Sequence, residues 1–228
     1  MKRSSINDII RDGDAFIRSF GYILPPFAYW SLEEMKARRK TSAGIFERRL
    51  GWDVTDYGQE RFDELGLLLF TLRNGRLEDM KKGKGMLYAE KIMISRKDQL
   101  SSTHRHNIKA SDIINRGGGE LILELFMPDA EGGIDPKAEV AVPVDGALRK
   151  LPAGGRLKLD PGESVTLLPG IWHTIWAEGR DVLIGEVSTV DDDLTDNVLR
   201  DLIDRFSRID EDVAPLHLLV SDYEKYVG

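Results

Sequence analysis

Cysteine is absent from the chain, so no disulfide, thiolate nucleophile or zinc–thiolate site is available. Any metal must be held by histidine, carboxylate or water. Histidine itself is scarce, with four among 228 residues. No apolar run approaches the roughly 18 residues that a membrane helix needs. The start, "MKRSSINDIIRDGDAF", lacks the apolar stretch of a secretory signal. Together with the missing disulfides, these absences point to the cytoplasm. Basic charge is also short, 32 Lys and Arg against 39 Asp and Glu for a net charge of −7, which argues against a nucleic-acid face. The one basic cluster, "MKARRK" at Met35 to Lys40, follows "LEE" and reads as a solvated helix face. What is present, 41% hydrophobic and 31% charged residues, suits a single globular unit large enough to bury a core.

The grammar changes twice along the chain. Ile6, Ile9, Ile10, Phe16, Ile17 and Phe20 recur every three or four residues, the stripe of an amphipathic helix, and Gly21 stops it. "YILPPFAYW" is expected to be extended because two prolines forbid helix. "SLEE" at Ser31 to Glu34 is a capping box opening a second helix. From Gly66 onwards short branched segments follow one another, separated by Gly, Pro and Asp, the rhythm of a sandwich or barrel. After Val190 a helical period returns in Val198, Leu199, Leu202, Ile203 and Phe206, behind the acidic "DDDLTD" that suits a helix N-terminus. The expected organisation is a single domain over 1–228. It has a helical extension over 1–65, a β-barrel core over 66–190, and a C-terminal helix and strand over 191–228.

"THRHNIKASDIINRGGGE" holds His104 and His106. On a strand, residues i and i+2 share a face, so both imidazoles aim into one space and suit chelation of one cation. His173 lies in "DPGESVTLLPGIWHTIWA", where turns at Pro161-Gly162 and Pro169-Gly170 can return a third imidazole to a barrel interior. His217 has no partner motif and reads as a surface or satisfied residue. Gly117 to Gly119 lack the Lys-Ser/Thr of a phosphate loop and read as a tight turn after the metal strand.

These segments resemble the two cupin motifs, G-x5-H-x-H-x(3,4)-E-x6-G and G-x5-P-x-G-x2-H-x3-N. The matches are His104, His106, Gly118, Gly162, Gly170 and His173, with Leu168 in place of the motif proline and Ala177 in place of its asparagine. Over nearly its whole length the chain also resembles the cupin-type D-lyxose isomerase family. "MKRSSINDII", "LPPFA", "LGWDVTDYGQ", "LFTLRNG", "YAEKIM", "DIINRGGG", "VLIGEVS" and "IDEDVAP" are similar to family segments in the same order. The resemblance implies a cupin (jelly-roll) β-barrel with helical extensions at both ends. It further implies a metal-dependent aldose–ketose isomerase of D-lyxose/D-xylulose type, a homodimer, with manganese the usual ion. The helical N-terminal third is the natural surface for such a dimer to bury.

One residue departs from the family. Its ligand set adds a glutamate to the three histidines, and Ser111 occupies that position. Asp112 is adjacent but falls on the opposite side of a regular strand. Three imidazoles without a carboxylate suit zinc or iron better than manganese. Three readings stay open. The histidines bind metal with water or Ser111 filling in; Glu90, Glu124 or Glu186 turns inward; or metal binding has weakened and the task has changed. Rival functions are accordingly a three-His cupin oxygenase and a non-catalytic sugar binder. For an isomerase working through a cis-enediol, Glu186 in "IGEVS" is the expected base, and Lys91 in "AEKIM" matches a family lysine near the sugar. Asp204 and Arg205 lie near the family's C-terminal site segment, as catalytic and substrate-binding residues respectively. Trp172, with Trp176 and Phe70, is a candidate apolar wall for the sugar.

Overall fold

The computed structural model describes residues 1–228. Helix α1 (Arg3–Ser19) forms where the isoleucine stripe predicts it, burying Ile6, Ile10 and Ile17 with Gly13 between them. Gly21, at φ +71°, ends it. Ser31 caps α2 (Leu32–Ala37): its Oγ accepts from Glu34 N at 3.2 Å while Ser31 N donates to Glu34 Oε2 at 3.0 Å, the reciprocal box the sequence signals. The proline stretch is only partly extended, because Pro26–Tyr29 turns into a short 3₁₀ helix with proline at its first position, where no N–H is missed. Helix α3 (Ala43–Glu47) follows.

The strands are β1 (Gly51–Thr55), β2 (Leu67–Arg73), β3 (Tyr88–Ser95), β4 (His104–His106), β5 (Ser111–Phe126), β6 (Val140–Val144), β7 (Ala147–Leu151), β8 (Gly155–Leu159), β9 (Ser164–Leu167), β10 (Trp172–Thr189) and β11 (Asn197–Leu199). Short helices α4 (Leu77–Lys81) and α5 (Tyr223–Tyr226) complete the order. The main path runs β1-β2-β3-β10-β5-β9-β6-β7, with β4, β8 and β11 attached beside it. Strands β5 and β10, of 16 and 18 residues, each serve two layers. Ser111–Ile114 of β5 pairs β9 and Leu121–Leu125 pairs β8, while Val182–Thr189 of β10 pairs β3 and His173 pairs His104 on β4. This rolls the chain into the cupin-like, mainly antiparallel barrel.

Two cores result. The barrel interior holds Leu69, Met93, Ile113, Leu123, Ile175 and Ile184 among others. On the outer face Leu68, Phe70, Ile92, Ile94 and Leu183 meet Ile6, Ile10 and Ile17 of α1. Both faces of β2 and β3 are therefore covered, which is why "GLLLFTL" reads as an unbroken apolar run rather than an alternating one. The same alternation sends Lys91, Met93 and Ser95 of β3 inward.

Three expectations are corrected. The extension over 1–65 is not all helical, because β1 lies within it and pairs β2 from Gly51↔Thr71 to Thr55↔Leu67. Gly117 to Gly119 are not a turn: they lie inside β5, at the irregularity where its register with β10 shifts between Glu178/Val182 and Leu183/Ile184. The stripe from Val198 to Phe206 makes no helix. Asn197–Leu199 pairs β4 instead, Arg200 N donates to Thr103 O at 2.9 Å, and Leu202 is fully exposed. Backbone pairing with an open strand overrides a helical pattern that has no apolar surface to cover. No helix is long and apolar enough to cross a membrane.

Candidate active site

His104 and His106 project from one face of β4, and His173 stands opposite His104 on β10. Ring centroids are 4.2 Å apart for His104 and His173, 5.1 Å for His104 and His106, and 5.7 Å for His106 and His173. One ligand atom from each lies within 4.8 Å of the others. Burial lowers all three below the ordinary imidazole range, His104 to about 4, so each ring is neutral at pH 7. His104 Nδ1 lies 2.8 Å from Ser102 O, and His173 Nδ1 lies 3.0 Å from Ile171 O. A carbonyl oxygen only accepts, so in both rings Nδ1 carries the proton and Nε2 keeps the lone pair a metal requires. His106 Nδ1 has no hydrogen-bond partner and stands 3.8 Å from Asp196 Oδ2. Three neutral nitrogen donors pre-set in this way fit a divalent ion.

Ser111 is buried at the start of β5, opposite Ser188 and Leu167. It shares its face with Ile113, which lines the same pocket as the histidines, so the residue replacing the family glutamate does point inward. Asp112 points away: its Oδ1 accepts from Thr166 Oγ1 at 2.6 Å. Neither other carboxylate turns in, since Glu90 pairs Arg73 at 3.0 Å and Glu124 lies in an outer groove with Arg156 and Arg200.

Beside the histidines runs a buried series of alternating charges. Lys109 Nζ donates to Glu186 Oε1 at 2.8 Å and is ion-paired with Asp191 Oδ1 at 2.9 Å. Lys91 Nζ donates to Asp191 Oδ2 at 2.6 Å and lies 3.6 Å from Asp193 Oδ2. Arg205 Nη2 reaches Asp53 at 2.7 Å and Asp193 at 3.2 Å, and Asn197 Nδ2 holds the other Asp193 oxygen at 2.8 Å. Burial alone would lower Lys91, but Asp191, then Asp193 and Glu186, outweigh it and keep its ammonium above the usual range. Burial pushes Asp193 up, and Lys91, Arg205 and Lys109 reverse it to well below the usual range. The Lys109 ammonium is close enough to weigh against protonation of all three histidines.

The structure thus brings together His104, His106, His173, Glu186, Lys91 and Arg205 in one pocket. Asp204 is not there. It lies at the surface, 3.9 Å from Arg208, while the buried carboxylates of Asp53 and Asp193 draw its neighbour Arg205 into the pocket. Trp172 is not a pocket wall either. Its Nε1 donates to Gly132 O and Gly133 O at 3.2 and 3.1 Å, with Arg105 over the ring. Trp176 lies under Arg156, and Phe70 packs between Phe27 and Trp52 in the outer core. The apolar lining comes from Leu67, Leu69, Met93, Ile113, Ile175 and Ile184. His217 is satisfied, its Nδ1 3.3 Å from Trp30 O.

Sequence reasoning missed Lys109, Asp191, Asp193, Asn197 and Tyr57, all but Asp191 on the pocket wall. A signal existed: "DDD" follows an apolar strand that carries Glu186, and two lysines near metal-binding histidines require buried counter-charges.

The arrangement can bind a cation, hold a carboxylate against an ammonium, and exclude water with aliphatic walls, as enolisation of a hydroxy-aldehyde requires. Comparisons with known proteins agree. The structure is similar to a mutant L-ribose isomerase of Acinetobacter sp. DL28 in complex with L-ribose, with a TM-score of 0.62, 12% identity, and 92% of this chain and 98% of that one covered. It is also similar to L-ribose isomerase of Cellulomonas parahominis with L-ribose, with a TM-score of 0.57 at 13% identity over the same shares of each chain. At that identity the likeness concerns the fold. In sequence, the chain is 44% identical to a D-lyxose/D-mannose isomerase of Serratia proteamaculans over all of both chains. It is 44% identical to one of Escherichia coli O157:H7 over 99% of this chain and 100% of that one. The model of the D-lyxose isomerase family matches residues 1–223, so the chain belongs to the D-lyxose isomerase family.

Proposed function

We propose that this aldose–ketose isomerase interconverts D-lyxose with D-xylulose and D-mannose with D-fructose, moving a proton between C2 and C1 through a cis-enediol. The observation that carries the reading is Glu186, held 2.8 Å from Lys109, in the same pocket as three convergent neutral imidazoles. Family membership and the names of the relatives supply the sugar class. His104, His106 and His173 would hold a divalent ion, which when bound supplies Lewis-acid polarisation of the sugar's carbonyl and adjacent hydroxyl oxygens. Glu186 takes the C2 proton of the aldose and delivers it to C1. Its Oε1 is engaged by Lys109, which leaves Oε2 for the sugar. The ammonium groups of Lys91 and Lys109 balance negative charge as it develops on the enediolate oxygens, and Arg205 holds a sugar hydroxyl. The aliphatic wall keeps water from protonating the intermediate.

Manganese is the proposed ion on family resemblance. The donor set here has no carboxylate at Ser111, so manganese is held more weakly than with a glutamate there. The protein is further proposed to act in the cytoplasm as a homodimer. Phe20 and Ile23, exposed just after α1, are the apolar residues of the helical third open to a partner.

Elemental analysis of the purified protein, followed by chelation and metal add-back with ketose formation from D-lyxose and D-mannose as readout, tests the reading. Activity should disappear on chelation and return with one divalent ion per chain. Full activity in the stripped protein, or bound iron with O₂ consumption and no ketose, would overturn it.

A further inference from the structure

The pocket has two chemically different ends. Lys91 and Ser95 both face inward from β3, and four residues at about 3.3 Å each set them roughly 13 Å apart along the strand. Strand register identifies the surroundings of each. Glu186 and Thr71 stand opposite Lys91, whereas Val182 stands opposite Ser95, and Leu68 and Leu183 stand opposite the neighbouring Ile94. Lys91, Lys109, Glu186, Asp193 and Arg205 supply the charges that line the pocket along with the three histidines, and their ion pairs tie them to the Lys91 end. Around Ser95 the lining is uncharged: Gly66, Leu67, Gln99 and Ser101.

Within that uncharged end the polar groups are not equivalent. Gln99 spends both halves of its amide inside the chain, its Nε2 on Phe62 O and its Oε1 on Arg96 N. Ser101 Oγ accepts from Ile175 N at 2.9 Å. Ser95 Oγ is buried and has no partner at all. A buried hydroxyl left unpaired is unfavourable, and a sugar hydroxyl relieves it as donor or acceptor alike.

We propose that Ser95 is a specificity-determining residue that hydrogen-bonds the terminal 6-hydroxyl of a six-carbon aldose, a group a five-carbon aldose lacks. The proposal rests on the isomerase reading for one point only, that C1 and C2 of the sugar sit at the charged end. With C1 and C2 held between Glu186 and the histidines, and Ser101 at the Ser95 end bonded to Ile175 N only two residues from His173, the tail runs toward Ser95 from the histidine side, and a hexose reaches one carbon further than a pentose. Ser95 takes no part in the proton transfer.

The test compares binding of D-mannose, 6-deoxy-D-mannose and D-lyxose by titration calorimetry, alongside kcat and KM, for the wild type and Ser95→Ala. The wild type should bind D-mannose about tenfold more tightly than its 6-deoxy analogue, the worth of one buried hydrogen bond. Ser95→Ala should erase that preference through KM, with D-lyxose constants changed less than about twofold. Equal affinities for the two hexoses in the wild type overturn the proposal without any variant. So does a Ser95→Ala protein that keeps the preference, or one that loses affinity equally for all three sugars. If no sugar is isomerised but Ser95→Ala still erases the 6-hydroxyl preference in binding, the isomerase reading falls and the Ser95 assignment stands. If D-lyxose is isomerised with no 6-hydroxyl preference, the reverse holds.

Discussion

Ser111 is the residue on which the proposed metal chemistry turns. It faces the interior from the position where the family places a glutamate, and no other carboxylate takes over. Asp112 bonds Thr166 at 2.6 Å, and Glu186, although in the pocket, is not among the groups whose ligand atoms converge with those of the three histidines. Ser111→Glu should therefore tighten manganese binding to the metal-stripped protein by about tenfold or more, since an oxygen anion suits that ion. Calorimetric titration of both proteins measures this, and isomerase activity should rise with it. Unchanged affinity would mean that position 111 does not reach the ion. The histidines were legible because their spacing alone determines a shared face. Arg205 and Asp204 were not separable by the same logic, because which of two adjacent residues turns inward depends on the backbone between β11 and the Asp53 and Asp193 carboxylates.

Strand β5 shows what an element adds to its residues. Its glycines have the composition of a turn, yet they let the strand continue through a register shift against β10. Gly117 and Gly118 have φ of +137° and +111°, which side chains rarely adopt. A Cβ on Gly118 would stand 2.0 Å from Asp181 O, a backbone atom that cannot move alone. Gly118→Ala should cost about 3 kcal/mol or more, from strain and steric overlap together. It should also disturb the histidine site, because β10 carries His173 and Glu186 on either side of the shift. Denaturant unfolding gives the first effect and metal titration the second; a loss under about 1 kcal/mol would show that the strand accommodates the methyl group. The segment after Val190 errs in the other direction. A helical stripe was legible there, but pairing with β4 and ion pairs to Lys91 and Lys109 draw Asp191–Leu199 along the pocket instead.

At the scale of the molecule, Arg3 ties the two ends of the chain together. It is fully buried and reaches Asp222 at 2.9 and 2.8 Å and Glu211 at 2.8 and 3.0 Å. Hydrogen bonding to Arg3, set against a smaller burial effect, lowers the Glu211 carboxyl from 4.5 to about 2. Between these values the unfolded chain binds a proton that the folded chain does not, so this contribution to stability rises with pH. It is fully present above about pH 4.5 and lost as pH falls toward 2. Glu211→Gln should then lower unfolding free energy by about 1–2 kcal/mol near pH 6, a modest value because Glu211 is partly exposed. The difference from the wild type should shrink steadily below about pH 4.5 and be mostly gone as pH falls through about 2. A difference independent of pH, measured by urea unfolding across that range, would assign the loss to packing.

By itself the sequence determined the barrel, the first helix and its end at Gly21, the capping box of the second, and the convergence of His104, His106 and His173. Each follows from local rules: alternation on a strand, periodicity on a helix, turn residues at fixed places. It also determined the family, because motifs along the whole length agree. Only the tertiary structure decided the charge network, the inward face of Ser111, the placing of Trp172 and Asp204 outside the pocket, and the unpaired Ser95 hydroxyl. These depend on contacts between segments far apart in the chain, such as Lys91 with Asp191 or Lys109 with Glu186. There, the cost of burying one charge is met by another that no local pattern places beside it.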